Sequence, residues 1–513
     1  MESRKIWLPA CAIVLAGYLV LLGLSTTYLG FSDHVEPNIV AVSSLVSRGA
    51  PLYHGLESAQ RYSLLYGPMS YLPFVWALRI FGQQVLSVKL VVVLANVALF
   101  ALLWHVYRTL LTREQTALAT VAIIPFLFAG EPYMVEVRGD VLMIVAAALG
   151  LAGATSASRW RAALMLAAGT GICVGAKITG GVYFVPLFVM LYKRHGLRIT
   201  AAAGLGAGLI ACLPFGLPEV SAINHFLWLR EAGRHPLAWF ELLRNAKALA
   251  TVSIPVLLLM WRLCERDRQV RLLYLRQEKM FLLALLFSFG LTTVAASKLG
   301  AGEHHYLPFY PLLGYVCCDL YSRAKTASGM GRSSLRATVS IICCIWLLAR
   351  VGTRVEWGWD LTGPHVLEGR EMAVSVTRDL REIMRQHPAE KIEMGYGEQM
   401  GKTNELTYFR PVLVFAGNPM TLDAPALADM ELGKLAVPQS TIAYIQSCQT
   451  QIWLIPKGEH PFTLPSLYDD ADSFPRRDIF GDALRAAFFG QYQKRETSAY
   501  FDLWSCAGKK PAS

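Results

Sequence analysis

From the N-terminus to about residue 352 the chain repeats apolar runs of roughly 17 to 25 residues, each long enough to cross a hydrocarbon core of about 30 Å. A soluble fold has nowhere to hide that much contiguous apolar surface. The 513 residues are 54% hydrophobic and only 17% charged, which agrees with a membrane chain and not with a set of soluble domains. After residue 353 the runs stop, and mixed charge, loop-spaced prolines and short alternating stretches take over. The expected fold is therefore an α-helical polytopic membrane protein of about eleven transmembrane helices over residues 1–352, with a small C-terminal α/β domain over 353–513.

The spans are expected at about 6–29, 84–107, 115–130, 139–155, 162–176, 179–192, 198–216, 247–263, 280–296, 306–322 and 337–352. The short runs 162–176 and 179–192 also fit one re-entrant pair. Basic residues mark alternate loops: Arg4 and Lys5, Arg108 and Arg113, Arg159 and Arg161, Lys193 and Arg194, the group from Arg262 to Lys279, and the group from Arg323 to Arg336. Such loops stay in the cytoplasm, which puts the N-terminus inside and loop 30–83, the intervening turns and the C-terminal domain outside. The net charge of +11 is largely this inner excess. It is spread over separate loops without interleaved aromatics, so nucleic acid is not an expected partner.

Eight cysteines lie in or beside spans, where a thiol packs as a small hydrophobe. Cys448 and Cys506 remain; in an oxidising compartment they form a disulfide, and otherwise they are two buried thiols. No zinc-type Cys spacing and no HExxH is present, so no metal site is indicated.

Polar residues gather in the outer loops at span ends, where charge is costly unless it meets a partner, water or a ligand. Asp33 and Glu36 follow the first span; Asp33 also stands where an Asp caps the next helix. Arg61 and Tyr66-Gly67-Pro68 come next, before a stretch at 69–82 whose Tyr71, Phe74, Val75, Leu78 and Phe81 recur at helical spacing and predict an amphipathic surface helix. Glu136-Val137-Arg138-Gly139-Asp140, preceded by Glu131-Pro132, opens the fourth span; an ion pair is the simplest use of Arg138 and Asp140. Lys177-Ile178-Thr179 breaks two apolar runs, where a lysine also snorkels to the interface. Lys298 and His304-His305-Tyr306 lie in a glycine-bearing loop that lets backbone approach a ligand. Adjacent histidines diverge, so they make a poor metal pair.

In this order the motifs resemble those of the GT-C integral membrane glycosyltransferases, of the aminoarabinose and protein-mannosyl transferase type. The resemblance covers residues 1 to about 350. It rests on Asp33 and Glu36, Tyr66-Gly67-Pro68, Arg138-Gly139-Asp140 where the family often has Arg-Pro-Asp, Lys177-Ile178-Thr179 where it often has Lys-Pro-Thr, and the loop from Lys298 to Pro308. Gly139 and Ile178 depart from the family prolines. The resemblance implies a sugar carried on a polyprenyl phosphate, an acceptor reached from the extracytoplasmic side of a plasma membrane, and in some members a divalent cation.

Residue by residue it suggests Asp33 as the base that takes the acceptor proton, with Glu36 in reserve. Arg138, Lys177 and Lys298 are the candidates for stabilising the phosphate leaving group. Asp140 would hold Arg138, while Arg61, Tyr66, His304, His305 and Tyr306 would line the substrate pocket. Two other readings share the spans: a transporter or flippase for lipid-linked sugars, and a membrane scaffold whose outer domain binds a partner. The first lacks a visible internal repeat. The second leaves the outer polar clusters without a purpose.

Overall fold

The structure, a computed structural model, describes residues 2–62, 65–127, 133–266, 268–327, 364–398, 405–465 and 479–507. The expected span 337–352 and Glu131-Pro132 lie outside these residues. Helix α1 (Glu2–Thr27) is followed by a short α2 (Val35–Ser47), α3 (Leu72–Phe81) and the long apolar α4 (Val85–Tyr107). Then come α5 (Arg113–Ala122), α6 (Ile124–Leu127), α7 (Gly139–Ala154), α8 (Arg159–Ala176) and α9 (Val185–Cys212), with a 3-10 segment at Ile178–Phe184 between the last two. Helices α10 (Ala222–Gly233), α11 (Trp239–Arg266), α12 (Arg268–Ala296) and α13 (Tyr310–Ala327) follow.

Among the described residues four stretches are long and apolar enough to cross a membrane: 85–107, 178–216, 239–261 and 274–296. The count of eleven is therefore not reproduced as eleven long helices. The run expected at 115–130 is broken at Ile123 into α5 and α6. The two runs expected at 179–192 and 198–216 are joined in α9, bent at Gly196, whose φ of 78° a side-chain-bearing residue rarely adopts. Their intervening basic residues, Lys193 and Arg194, sit on that bend and bond to Glu278 and to the Thr155 carbonyl.

The surface helix is present as α3. Tyr71, Phe74, Val75 and Leu78 are buried as the spacing predicts, but Phe81 is not; it is exposed with Trp76 and Ile80. Both flanks of α3 are thus apolar, one against protein and one outward, which suits a helix at a lipid boundary.

Among the described residues strands appear only near the C-terminus. After α14 (Pro364–Gln386), β1 (Ile392–Met394), β2 (Ile452–Pro456), β3 (Tyr492–Thr497) and β4 (Phe501–Cys506) form one sheet in the order β1-β2-β4-β3. Strands β1 and β2 are parallel and the other pairs antiparallel. Four further helices pack around it: α15 (Arg410–Phe415), α16 (Ala424–Leu432), α17 (Gln439–Gln446) and α18 (Gly481–Gln491). Helix α14 and strands β1, β2 and β4 fall where the sequence predicts a helix near 366–387 and strands at 391–396, 451–456 and 500–504. Strand β3 does not announce itself in the sequence, because all but its first residue face solvent and it carries Lys494, Arg495 and Glu496, the charges that protect a sheet edge.

This domain shares a core with the first loop. Phe31, Val35, Ile39, Tyr53 and Phe74 pack in the same apolar cluster as Leu427, Trp453, Phe462 and Phe488. Cys448 and Cys506 form a disulfide that ties the end of α17 to β4 across 58 residues of chain. A crosslink closing a loop of that length removes unfolded-state entropy equivalent to about 4 kcal/mol. Replacing both cysteines with serine, or adding reductant, is expected to lower the melting temperature of the C-terminal domain, read by hydrogen exchange on β2 and β4. Unchanged protection there would mean that the bond carries no stability.

Candidate active site

The site is assembled where the start of α2 meets the segment before α7. Asp33 accepts the backbone N–H groups of Val35 (2.7 Å) and Glu36 (3.1 Å) on Oδ1, capping the helix. Its Oδ2 receives the Arg138 Nη1 at 2.8 Å. One oxygen of Asp33 thus takes the backbone N–H groups at the start of α2 and the other pairs with Arg138. Glu36 is buried and braces the same junction: Oε1 accepts the Ser32 N–H and hydroxyl, and Oε2 accepts the Val137 N–H at 2.7 Å. With both oxygens engaged on backbone and Ser32, Glu36 holds loop 133–138 against α2 and so delivers Arg138 to Asp33.

Arg138 is buried to 4% exposure and sits between acids. Its Nε donates to Asp140 Oδ2 at 3.1 Å, Glu136 lies 3.8 Å from Nη1, and the Tyr133 ring stacks 4.3 Å from the guanidinium carbon. Its Nη2 makes no hydrogen bond among the described residues, so the fork keeps donors for an incoming oxyanion. Burial by itself would raise the Asp33 carboxyl; the Arg138 guanidinium, His34 and the two backbone N–H groups outweigh it and hold Asp33 below the usual carboxylate range. Glu36 moves the other way, pushed up chiefly by burial.

Lys177 follows α8 and lies beside this cluster. Its Nζ is 2.8 Å from His305 Nε2 and 5.8 Å from the Tyr66 ring centroid. Burial first, with Arg138 adding to it against the pull of Asp140, lowers Lys177 to about 8. Burial and then Lys177 keep His304 and His305 well below the ordinary imidazole value, so both are neutral. In neutral His305, Nε2 accepts from the Lys177 ammonium and Nδ1 carries the proton. Among the described residues that Nδ1 and Asp140 Oδ1 have no partner, although both are buried. Buried polar atoms are nearly always satisfied, so these two mark where water or a ligand binds. His304 meets the Tyr133 ring at 5.4 Å and closes this side.

Close backbone packing sets the Lys177 position. The Gly67 N–H donates to the Ala176 carbonyl at 2.8 Å, and the Ser70 hydroxyl donates to the same oxygen at 3.0 Å. A Cβ on Gly67 would lie 2.3 Å from the Gly175 carbonyl oxygen, and one on Gly139 would lie 2.3 Å from Ser70 Oγ. A proline at 139 would bring that same Cβ, which is why glycine stands there in this chain.

Not every predicted residue joins the cluster. Lys298 caps the C-terminal end of α10, donating to the Ala232 and Gly233 carbonyls at 3.1 and 3.0 Å. Arg61 is fully buried against the C-terminal domain, donating to Thr441 Oγ1 at 3.2 Å and to the Ser58 carbonyl. Tyr306 packs in the helical core with its hydroxyl 2.8 Å from Thr293. Tyr133 was not anticipated; a tyrosine five residues before an arginine carries no signal of its own. Among the described residues no group of His, Cys, Asp or Glu is arranged to hold a metal ion.

No known family's sequence profile matches the chain, and no curated protein is similar to it in sequence. Solved structures are similar. The crystal structure of ArnT from Cupriavidus metallidurans bound to undecaprenyl phosphate has a TM-score of 0.54 at 13% identity, and the apo state of ArnT from the same organism has 0.55 at 11% identity. Each comparison covers 98% of this chain and 98% of the other. At such identity the likeness is one of architecture, and because it runs the length of both molecules the chain has the fold of ArnT, as its resemblance to the GT-C membrane glycosyltransferases implied.

Proposed function

We propose that the chain is a membrane glycosyltransferase that moves a sugar from a polyprenyl-phosphate donor to an acceptor hydroxyl on the extracytoplasmic face. The observation that carries this reading is the convergence of Asp33, Arg138, Asp140, Lys177 and His305, from four separate stretches of sequence, into one cluster of a base, cations and open hydrogen-bonding atoms. The undecaprenyl phosphate bound to a protein of the same fold supports the donor class. An extracytoplasmic site agrees with the basic loops and with the Cys448–Cys506 disulfide.

The chemistry follows from the contacts. The phosphate leaves as a stable anion and needs positive charge more than a proton, which Arg138 and Lys177 supply. Asp33 is a weak base while Arg138 holds its Oδ2. A donor phosphate competes for that guanidinium, loosens the pair and raises the basicity of Asp33 at the moment an acceptor hydroxyl needs its proton taken. The hydroxyl oxygen then attacks the anomeric carbon from the face opposite the phosphate, and the sugar is transferred with inversion. Asp140 holds the guanidinium throughout.

The Lys177 value gives a pH test. Its cationic form is present below about 8 and is lost as pH rises through that value. kcat/KM for the donor is expected to fall on the alkaline side near pH 8, while the limb in kcat moves higher because bound phosphate favours the ammonium. Purified protein in lipid nanodiscs, supplied with a panel of undecaprenyl-phosphate sugars and candidate acceptors, tests the whole reading. Tight donor binding with movement across the bilayer and no transfer would replace the enzyme by a flippase.

A further inference from the structure

Helix α2 is held from two sides. Toward the helical part, Glu36 accepts the Val137 N–H. Toward the C-terminal domain the hold is also polar, and it falls on the first turn of the helix. Asn38 closes that turn, and its Nδ2 donates to Asp423 Oδ2 at 2.8 Å and to the Tyr62 carbonyl at 3.2 Å. Asp423, at the head of α16, accepts on Oδ1 from Arg410 and from the Tyr396 hydroxyl (3.2 Å), and on Oδ2 also from the Ala426 N–H at 3.3 Å. Arg410 is fixed in turn: its Nε donates to the Thr407 carbonyl at 2.9 Å, and its guanidinium carbon lies 4.9 Å from the Tyr396 ring centroid. Two backbone bonds run beside this network, from the Arg61 N–H to the Thr421 carbonyl at 2.6 Å and from the Asp423 N–H to the Arg61 carbonyl at 2.9 Å. At the far end of α2, Arg48 Nη2 donates to the Val414 carbonyl of α15 at 2.6 Å.

Apolar contact is already enough to dock the domain, since Val35 and Ile39 of α2 share a core with Leu427. Such contact is non-directional and leaves the helix free to slide or turn, whereas a hydrogen bond weakens steeply as its partners tilt apart. A buried acid held by a buried cation adds little net stability over apolar residues; what it sets well is register. Asn38 and Asp423 are both fully buried, so water does not compete for their bond. The bond is made within one turn of Asp33, whose Oδ1 accepts the Val35 and Glu36 N–H groups of that same turn. A shift of the turn therefore carries the carboxylate with it.

We propose that Asn38 and Asp423 are positioning residues for Asp33: through this pair the C-terminal domain sets the register of the first turn of α2, and so the aim of the base at the acceptor hydroxyl. This assignment rests on the glycosyltransferase reading and adds to it a role for the C-terminal domain that needs no contact with substrate.

The test measures turnover in nanodiscs for the intact protein and its Asn38→Ala variant, each with and without Asp33→Asn, on the undecaprenyl-phosphate sugar that the wild type turns over fastest. Binding of undecaprenyl phosphate and hydrogen exchange on β2 and β4 are read alongside. Asn38→Ala leaves Arg410 and Tyr396 on Asp423, so protection in the sheet and affinity for undecaprenyl phosphate should stay at wild-type levels. Its kcat should fall about tenfold or more, because a small misplacement of a reacting group is that costly. In the Asp33→Asn background the same substitution should change kcat by less than about twofold, since the group it positions is already gone. Tyr396→Phe takes one donor from Asp423 without touching α2; it should lower kcat by less and likewise lose its effect beside Asp33→Asn, and it carries the test if Asn38→Ala does not fold. An unchanged kcat, a loss that adds in full to that of Asp33→Asn, or an equal weakening of undecaprenyl phosphate binding overturns the assignment and leaves the transferase reading intact. A wild type that transfers sugar from none of these lipids overturns both.

Discussion

Asp33→Asn is expected to lower the kcat of sugar transfer by about a hundredfold or more, the usual worth of a positioned general base, with donor affinity nearly unchanged. Asparagine is a good choice because it keeps the cap. Its side-chain oxygen is able to accept the Val35 and Glu36 N–H groups that Asp33 Oδ1 now takes, so α2 stays in place. What it loses is the negative oxygen facing Arg138. An amide does not take a proton from a hydroxyl, and the guanidinium, relieved of one acid, binds a phosphate at least as well. The expected signature is therefore a collapse of turnover without a rise in donor KM. Retained turnover would remove Asp33 from the base role. Since Glu36 has its oxygens on Ser32 and Val137, the search for another base would then move to Asp140 and its open Oδ1.

Arg138→Ala is expected to have the larger effect, on fold and activity together. Asp33, Asp140 and Glu136 all lie within 4 Å of this guanidinium, and Glu136 and Asp140 are almost completely buried. Removing one partner of a buried ion pair leaves uncompensated charge and costs about 3–5 kcal/mol. The loss should appear as a lower melting temperature and weaker donor binding. Arg138→Lys restores the charge but not the fork that holds Asp33 through Nη1 and Asp140 through Nε at once, so it should recover part of the stability and little of the turnover. Pairing Arg138→Ala with Asp33→Asn separates the two effects. Stability should be partly restored because one stranded charge is gone, and activity should not. If Arg138→Ala melts like the wild type, the cluster is not the buried network described above.

Both variants draw on features of unequal visibility in the sequence. The membrane character is local: contiguous apolar residues and basic loop ends state it without reference to any distant contact. Asp33, Arg138, Asp140, Lys177 and the His304-His305 pair were also legible, because charge beside a hydrophobic run is expensive and so stands out. The same logic misplaced Arg61 and Lys298. Each is a costly charge beside apolar chain, but the cost is met by Thr441 and the Ser58 carbonyl for one and by a helix C-terminus for the other. Cost marks a residue that needs a partner; it does not say whether that partner is protein or substrate.

Tyr133 was invisible for the opposite reason. An aromatic near an arginine is ordinary, and its meaning arises only when the guanidinium is brought against its ring.

The sequence by itself determined that the described residues before 328 form mainly apolar helices with polar clusters at their ends, because helix formation and burial in hydrocarbon depend on neighbours along the chain. It also determined the sheet-bearing C-terminal segment and which cysteines were available to pair. Only the tertiary structure decided that Asp33 meets Arg138 across 105 residues and that Asn38 meets Asp423 across 385. Pairings over such separations are set by the packing of whole helices, and no local pattern of residues encodes them.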